Sequence, residues 1–137
     1  MITTQNLTKT FGGRAAVSGL GLTFESGRIY GLVGTNGAGK STLLRMLCGI
    51  YRPNAGSAAL DGEPIFEHPA SKERIVLVPD DLYFLPGATL EEMARFYRES
   101  YPRWNGEKFE RLLGAFPLER GAKLSGFSKG MRRQIAI

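Results

Sequence analysis

Thiol and imidazole are scarce in this chain of 137 residues, which has one cysteine, Cys48, and one histidine, His68. One cysteine cannot close a disulfide within the chain, and a single Cys and His do not make a metal site. Both facts point to a reducing compartment. Long apolar runs are also missing. No stretch approaches the ~20 residues that would span a bilayer, and Met1-Ile2-Thr3-Thr4-Gln5-Asn6 lacks the charged-then-apolar pattern of a signal peptide. The expectation is a soluble chain, with any membrane anchor supplied by another chain. There is no internal repeat and no low-complexity tract.

What is present is ordinary for one globular domain: 42% hydrophobic and 23% charged residues, with apolar positions recurring along most of the chain. The net charge of +5 suits an anionic ligand and would also suit nucleic acid. The basic residues are dispersed, however, as on a solvated surface. The one tight basic group is Lys129, Arg132 and Arg133.

The first third reads as strands and turns. Leu20 to Phe24 alternates loosely and Glu25-Ser26-Gly27 is a turn. Arg28 to Gly34 is a short apolar run ending in glycine, the pattern of a buried strand. A helix should follow, with Leu43, Leu47 and Ile50 on one face, Leu44 and Cys48 alongside, and a break at Arg52-Pro53-Asn54-Ala55-Gly56. Asp61-Gly62 predicts a hairpin between Ser57–Leu60 and Glu63–Ile65. Ile75-Val76-Leu77-Val78, stopped by Pro79, predicts a second buried strand. Thr89-Leu90-Glu91-Glu92 is a capping box opening a helix to about Glu99. Asn105 should cap another helix, carrying Phe109, Leu112, Leu113 and Phe116 on one face, and Ser128 a third that runs to Ile137. A β-rich front and a helical back half suggest two lobes of one domain.

The strongest local signal is Gly34-Thr35-Asn36-Gly37-Ala38-Gly39-Lys40-Ser41, which fits G-x-x-x-x-G-K-[ST] at every fixed position. Glycines permit the backbone angles and close approach that a side chain would block. Successive N–H groups then converge on phosphate oxygens, and the N-terminus of the following helix adds its positive end. Lys40 can reach the β- and γ-phosphates, and the Ser41 hydroxyl can take one Mg²⁺ position. A nucleoside triphosphate is the expected ligand, most simply ATP with Mg²⁺, gripped from Gly34 to Thr42.

From Leu7 to Ile137 the sequence resembles the N-terminal part of an ATP-binding cassette domain, the motor subunit of ABC transporters. In addition to the loop, four places carry the resemblance. Lys9-Thr10-Phe11-Gly12 resembles the aromatic segment that would place Phe11 on adenine. Gly56 to Ile65 resembles the family's antiparallel strand pair. Val78-Pro79-Asp80-Asp81 resembles the segment with the family's Q-loop glutamine, and Phe127-Ser128-Lys129-Gly130-Met131 resembles the signature motif. The resemblance implies an α/β fold: a P-loop NTPase core with an antiparallel β lobe and a helical lobe, truncated at the C-terminal side. The expected division is residues 1–86 for the β lobe and core, 87–127 for the helical lobe, and 128–137 for the start of the signature helix. It also implies an ATPase that couples ATP binding and hydrolysis to transport by a separate transmembrane permease chain. Two cassettes, alike or different, would pair so that Ser128 and Gly130 reach the nucleotide of the facing copy. The location would be cytoplasmic, at the inner face of the membrane through the partner chain.

Two departures bear on the site. Asp80 stands where most members have a glutamine that helps hold Mg²⁺ and water, although a carboxylate can also serve a metal. The signature reads Ser-Lys-Gly-Met in its last four residues, a form resembling antibiotic-responsive transporters and thus export. The family's later acidic residues and switch histidine have no counterpart here, since no apolar run closes on Asp-Glu. No catalytic residue is therefore expected within the chain, and the expectation is a piece of a longer enzyme, inactive by itself. Residues Asp80 to Leu90, with Leu82, Tyr83, Phe84 and Leu85, are expected to form part of the surface that meets the membrane partner; the plain alternative is that these side chains pack between the two lobes. Alternatives are a non-transport ATP switch of the same family, against which stands the compact spacing from loop to signature, and a basic nucleic-acid-binding module. A small-molecule kinase is countered by the motif at Ser128. Phe11 has a plain alternative as a core aromatic, Asp80 as a turn residue and Ser128 as a helix cap alone. Cys48, His68 and Trp104 read as structural or surface residues.

Overall fold

The computed structural model describes residues 1–80, 82–116 and 118–135; Asp81 of the expected Q-loop segment and the end of the expected signature helix lie outside the described residues. The chain forms two compact units, Met1–Leu77 and Val78–Ile137.

In the first unit, β1 (Ile2–Phe11) and β2 (Arg14–Phe24) pair as an antiparallel hairpin. Gly12 and Gly13 both have positive φ, 53° and 78°, the backbone that a two-residue hairpin turn requires. β3 (Ala55–Leu60) lies on the other side of β1, and β4 (Glu63–Pro64) pairs with β3, giving the order β2-β1-β3-β4. The predicted Asp61-Gly62 turn is there, with φ of 51° and 90° and Leu60 opposite Glu63. One face of this sheet buries Leu7, Val17, Ala58 and Leu60 against α1 (Lys40–Leu47), whose Leu43, Met46 and Leu47 complete the core with Ile65. A short helix, α2 (Pro69–Lys72), follows; His68 precedes it and contacts the Ser71 hydroxyl at 2.8 Å.

The apolar face of α1 differs from the expectation. Met46 is buried, whereas Leu44 and Ile50 are exposed. The reason is an early stop. Gly49 takes φ 66°, its amide donates to Met46 O, and the Ile50 amide donates to Arg45 O. This pair of bonds closes the helix and sends Ile50 past its end. A larger correction concerns the two predicted buried strands. Neither residues 28–34 nor 75–78 belong to a strand. Ile29, Val33 and Val76 are 102%, 95% and 83% exposed. Strands exist by pairing, and among the described residues neither run pairs with the sheet of β1 to β4.

The second unit holds α3 (Leu90–Ser100), α4 (Gly106–Ala115), a 3₁₀ turn (Leu124–Gly126) and α5 (Lys129–Ile135). The predicted caps are in place. Thr89 Oγ1 accepts from the Glu92 amide at 3.3 Å, and Glu92 accepts from the Thr89 amide at 2.8 Å. The Thr89 amide and, second, the Thr89 hydroxyl, which donates to the same carboxylate oxygen at 3.1 Å, hold the Glu92 carboxyl below its usual range. Asn105 caps α4 through the Lys108 amide. Ala88, Leu90, Met93, Leu124 and Phe127 form the core of this unit, with Phe84, Met131 and Ile135 packed on it. The segment from Val78 therefore goes with the helices, and so does the helix after Ser128. Of the expected apolar face of α4, Phe109, Leu112, Leu113 and Phe116 are all only partly buried.

Gly49 is the tightest backbone position at the end of α1. An added Cβ would meet Lys72 Cε at 2.7 Å and Ile65 O at 3.0 Å, on top of the positive φ, whereas at Gly62 it would meet nothing within 4 Å. Gly49→Ala is expected to destabilise by about 2–3 kcal/mol and Gly62→Ala by about 1 kcal/mol, the cost of the left-handed backbone alone. Urea unfolding of both variants checks this; equal losses would show that the contacts at Gly49 relax without cost.

Candidate nucleotide-binding site

The phosphate loop joins the run 28–34 to α1. Its shape depends on glycine at two positions. Gly37 and Gly39 have φ of 84° and 85°, which side-chain-bearing residues adopt only with strain. Gly39 also has a neighbour that a sequence does not reveal. Lys9 pairs with Val17 and Thr10 with Ala15, so Ala16 is an extra residue, a β-bulge on β2. A Cβ on Gly39 would lie 2.1 Å from the Ala16 carbonyl oxygen and 3.4 Å from Val17 Cγ2. The loop is thus seated directly on the bulge, and only glycine fits there.

The polar groups of the loop suit an anion. Among the described residues, Ala38 alone of the amides 36–39 donates to a backbone carbonyl, that of Thr35 at 3.2 Å. Gly39 caps α1 with no side-chain hydrogen bond, and the first turn carries no acidic residue. The unpaired N–H groups of that turn therefore stand free, at the positive end of the helix. Lys40 Nζ donates to Gly34 O at 2.7 Å and to Thr35 O at 2.8 Å, so its ammonium is held across the loop by the loop's own carbonyls. Ser41 is exposed and Thr42 partly buried. Among the described residues no group of three His, Cys, Asp or Glu side chains gathers that could hold a metal ion. A cation beside Ser41 would take its other oxygen ligands from phosphates and water, as Mg²⁺ commonly does. The loop thus fits a polyphosphate with its cation.

Phe11 ends β1 opposite Arg14, two residues from the bulge that seats Gly39. Phe11 is 48% exposed, so it is not a core aromatic, and its ring meets Tyr51 edge-on at 5.7 Å. Asp80, Ser128 and Gly130 belong to the second unit. Asp80 is exposed and forms an ion pair with Arg133 at 2.5 Å, so its carboxylate would have to leave a guanidinium to serve a metal. Ser128 Oγ accepts from the Met131 amide at 3.2 Å, the predicted cap, and a Cβ added at Gly130 would lie in ordinary contact with that hydroxyl, 3.8 Å away. Phe127 anchors the motif in the helical core, and its carbonyl accepts from Arg132 Nε at 3.0 Å.

The sequence profile of the family described as ABC transporter matches residues 17–137. The chain belongs to the ABC transporter family. It is 29% identical over 137 residues to the ABC transporter ATP-binding protein YtrB of Bacillus subtilis, covering 100% of this chain and 47% of that protein. It is 32% identical over 143 residues to the linearmycin resistance ATP-binding protein LnrL of the same organism, covering 100% and 46%. A solved ATP-binding subunit of an ABC transporter superimposes with a TM-score of 0.84 at 24% identity, over 99% of this chain and 59% of that one. The chain spans about half the length of the curated relatives it matches. The P-loop NTPase fold, with its antiparallel sheet and helical part, is thereby established. No helix among the described residues is long and apolar enough to cross a membrane.

Within this family setting, sequence reasoning located the loop and missed what supports it. The Ala16 bulge leaves no compositional signal, and Tyr51 stands 40 residues from Phe11 in the chain. Lys40→Ala should weaken ATP binding severely. A charge-assisted contact of this kind is worth ~1.5–3 kcal/mol, or about 10- to 150-fold in affinity. Calorimetric titration of folded wild type and variant checks it; superimposable curves would remove Lys40 from the site.

Proposed function

We propose that this chain provides the nucleotide cradle of an ABC transporter's ATP-binding subunit, an ATPase that powers a separate transmembrane permease chain. The observation that carries the reading is the glycine loop seated on the Ala16 bulge, with Lys40 poised across it. Loop amides and Lys40 bind the triphosphate of ATP, Phe11 receives the base, and Ser41 offers its hydroxyl to Mg²⁺. When bound, Mg²⁺ would help offset the charge that develops during phosphoryl transfer to water. Asp80 is a further candidate for the metal once freed from Arg133. Ser128 and Gly130, on the exposed start of α5, face the nucleotide of a second cassette in a homo- or heterodimer. The assembly sits at the cytoplasmic face of the membrane, held there by the permease. Export is the direction supported by the Ser-Lys-Gly-Met motif and by the relative named for linearmycin resistance.

The groups the family uses to activate water have no counterpart between Met1 and Ile137, and ground-state binding alone does not lower the chemical barrier. Residues 1–137 by themselves are therefore expected to bind ATP without sustained turnover. Phosphate release, with Lys40→Ala as the contaminant control, is the measurement. Steady release that Lys40→Ala abolishes would show that the catalytic groups lie within this chain.

Tyr83 is 76% exposed and Leu85 37% exposed, whereas Phe84 packs into the helical core. We place the permease contact on Tyr83 and Leu85 accordingly. Cysteines at these two positions in the assembled transporter should crosslink to the transmembrane chain, and a cysteine at Phe84 should not. Failure at both exposed positions would move the contact elsewhere.

A further inference from the structure

We infer that Tyr51, together with Lys9, is the positioning residue that sets the Phe11 ring for base stacking; this rests on the ATP-binding reading proposed above. Phe11 projects from the end of β1 with half its surface exposed, and a lone exposed phenylalanine would sample several rotamers. Its ring is held instead by two neighbours. The Tyr51 ring stands edge-on at 5.7 Å, with 70° between the planes. The Lys9 ammonium lies 5.3 Å from the centre of the Phe11 ring and 5.9 Å from that of Tyr51. Lys9 is itself pinned, because its Nζ donates to Arg52 O at 2.8 Å. Tyr51 is fixed in turn. It packs against the core of the first unit, and its hydroxyl accepts from Arg45 at 3.3 Å.

The backbone completes the clamp. The Asn54 amide donates to Thr8 O at 2.8 Å, and Asn54 Oδ1 accepts from the Thr10 amide at 2.9 Å. Residues 51–54 thus grip residues 8–11 through two rings, one ammonium and three hydrogen bonds. That segment directly follows the Gly49 stop of α1, the helix whose other end presents the phosphate loop. The same short helix therefore supports both ends of a nucleotide: phosphates at its N-terminus and, through Tyr51, the base-stacking ring. With cation and tyrosine gathered about it, the Phe11 ring keeps exposed surface on which a purine can lie.

The test compares ATP with inorganic triphosphate by calorimetric titration of the full chain. Tyr51→Leu keeps an apolar side chain toward the core and removes the ring. It should weaken ATP about two- to tenfold, the range for an aromatic pair, and leave inorganic triphosphate unchanged. Tyr51→Phe should restore ATP binding. In a Phe11→Ala background, Tyr51→Leu should cost nothing further. Equal weakening of both ligands by Tyr51→Leu, or an undiminished loss in the Phe11→Ala background, overturns the inference while leaving the base reading intact. Equal weakening of both ligands by Phe11→Ala marks failure of the base reading itself. Should Tyr51→Leu not fold, Lys9→Met carries the same comparison: a base-selective loss supports the clamp, and none overturns it.

Discussion

The close approach of Gly39 to the Ala16 carbonyl is the contact around which the first unit is arranged. A bulge turns one peptide of β2 toward the loop, and the loop has no side chain there to keep it away. This seat brings α1 onto the sheet, where Leu43, Met46 and Leu47 meet Leu7, Val17, Ala58 and Leu60. Burial of these side chains anchors the helix, at roughly 1.5–3 kcal/mol for each fully buried large one. The anchored helix then holds its free N–H groups in one place. An anion site made of backbone donors is only as well defined as the helix that carries them. Packing energy far from the ligand becomes binding geometry at the loop.

The far end of α1 shows the same logic. Gly49 ends the helix with paired carbonyls and turns the chain so that Tyr51 and Asn54 reach back to β1. Two glycines with positive φ, one before and one just after an eight-residue helix, thus set the spacing between phosphate loop and aromatic ring. The second unit is organised differently. Its helices begin at side-chain caps, Thr89, Asn105 and Ser128, and Phe127 draws the signature segment into an apolar cluster. Ser128 is both cap and candidate phosphate contact. Its Oγ accepts one amide hydrogen bond and can still donate its own hydrogen.

Family membership and local structure bear on different questions. The profile match and the superposition establish the cassette fold over most of the chain. They do not explain the two apolar runs, 28–34 and 75–78, whose exposed Ile29, Val33 and Val76 contrast with the buried strands that their composition predicts. Composition reports that such a run favours an apolar environment. It does not supply the neighbouring strand whose hydrogen bonds would make it part of a sheet.

By itself, the sequence determined the features whose physics is local. The glycine spacing and Lys40 define a phosphate loop because backbone freedom and charge are properties of those residues. The capping box at Thr89, the caps at Asn105 and Ser128 and the Asp61-Gly62 hairpin were legible because each is satisfied within a few residues. Tertiary structure alone decided what depends on distant partners. It exchanged Ile50 for Met46 on the buried face of α1, since the helix stop is set where Gly49 passes Ile65. It gave Asp80 a guanidinium 53 residues away and placed Phe84 in the helical core. Above all, it chose the Ala16 bulge and the Tyr51 contact. Both arise from how β1, β2 and α1 meet, and a hydrogen-bond register or an edge-on ring contact between separated segments has no signature in composition or periodicity.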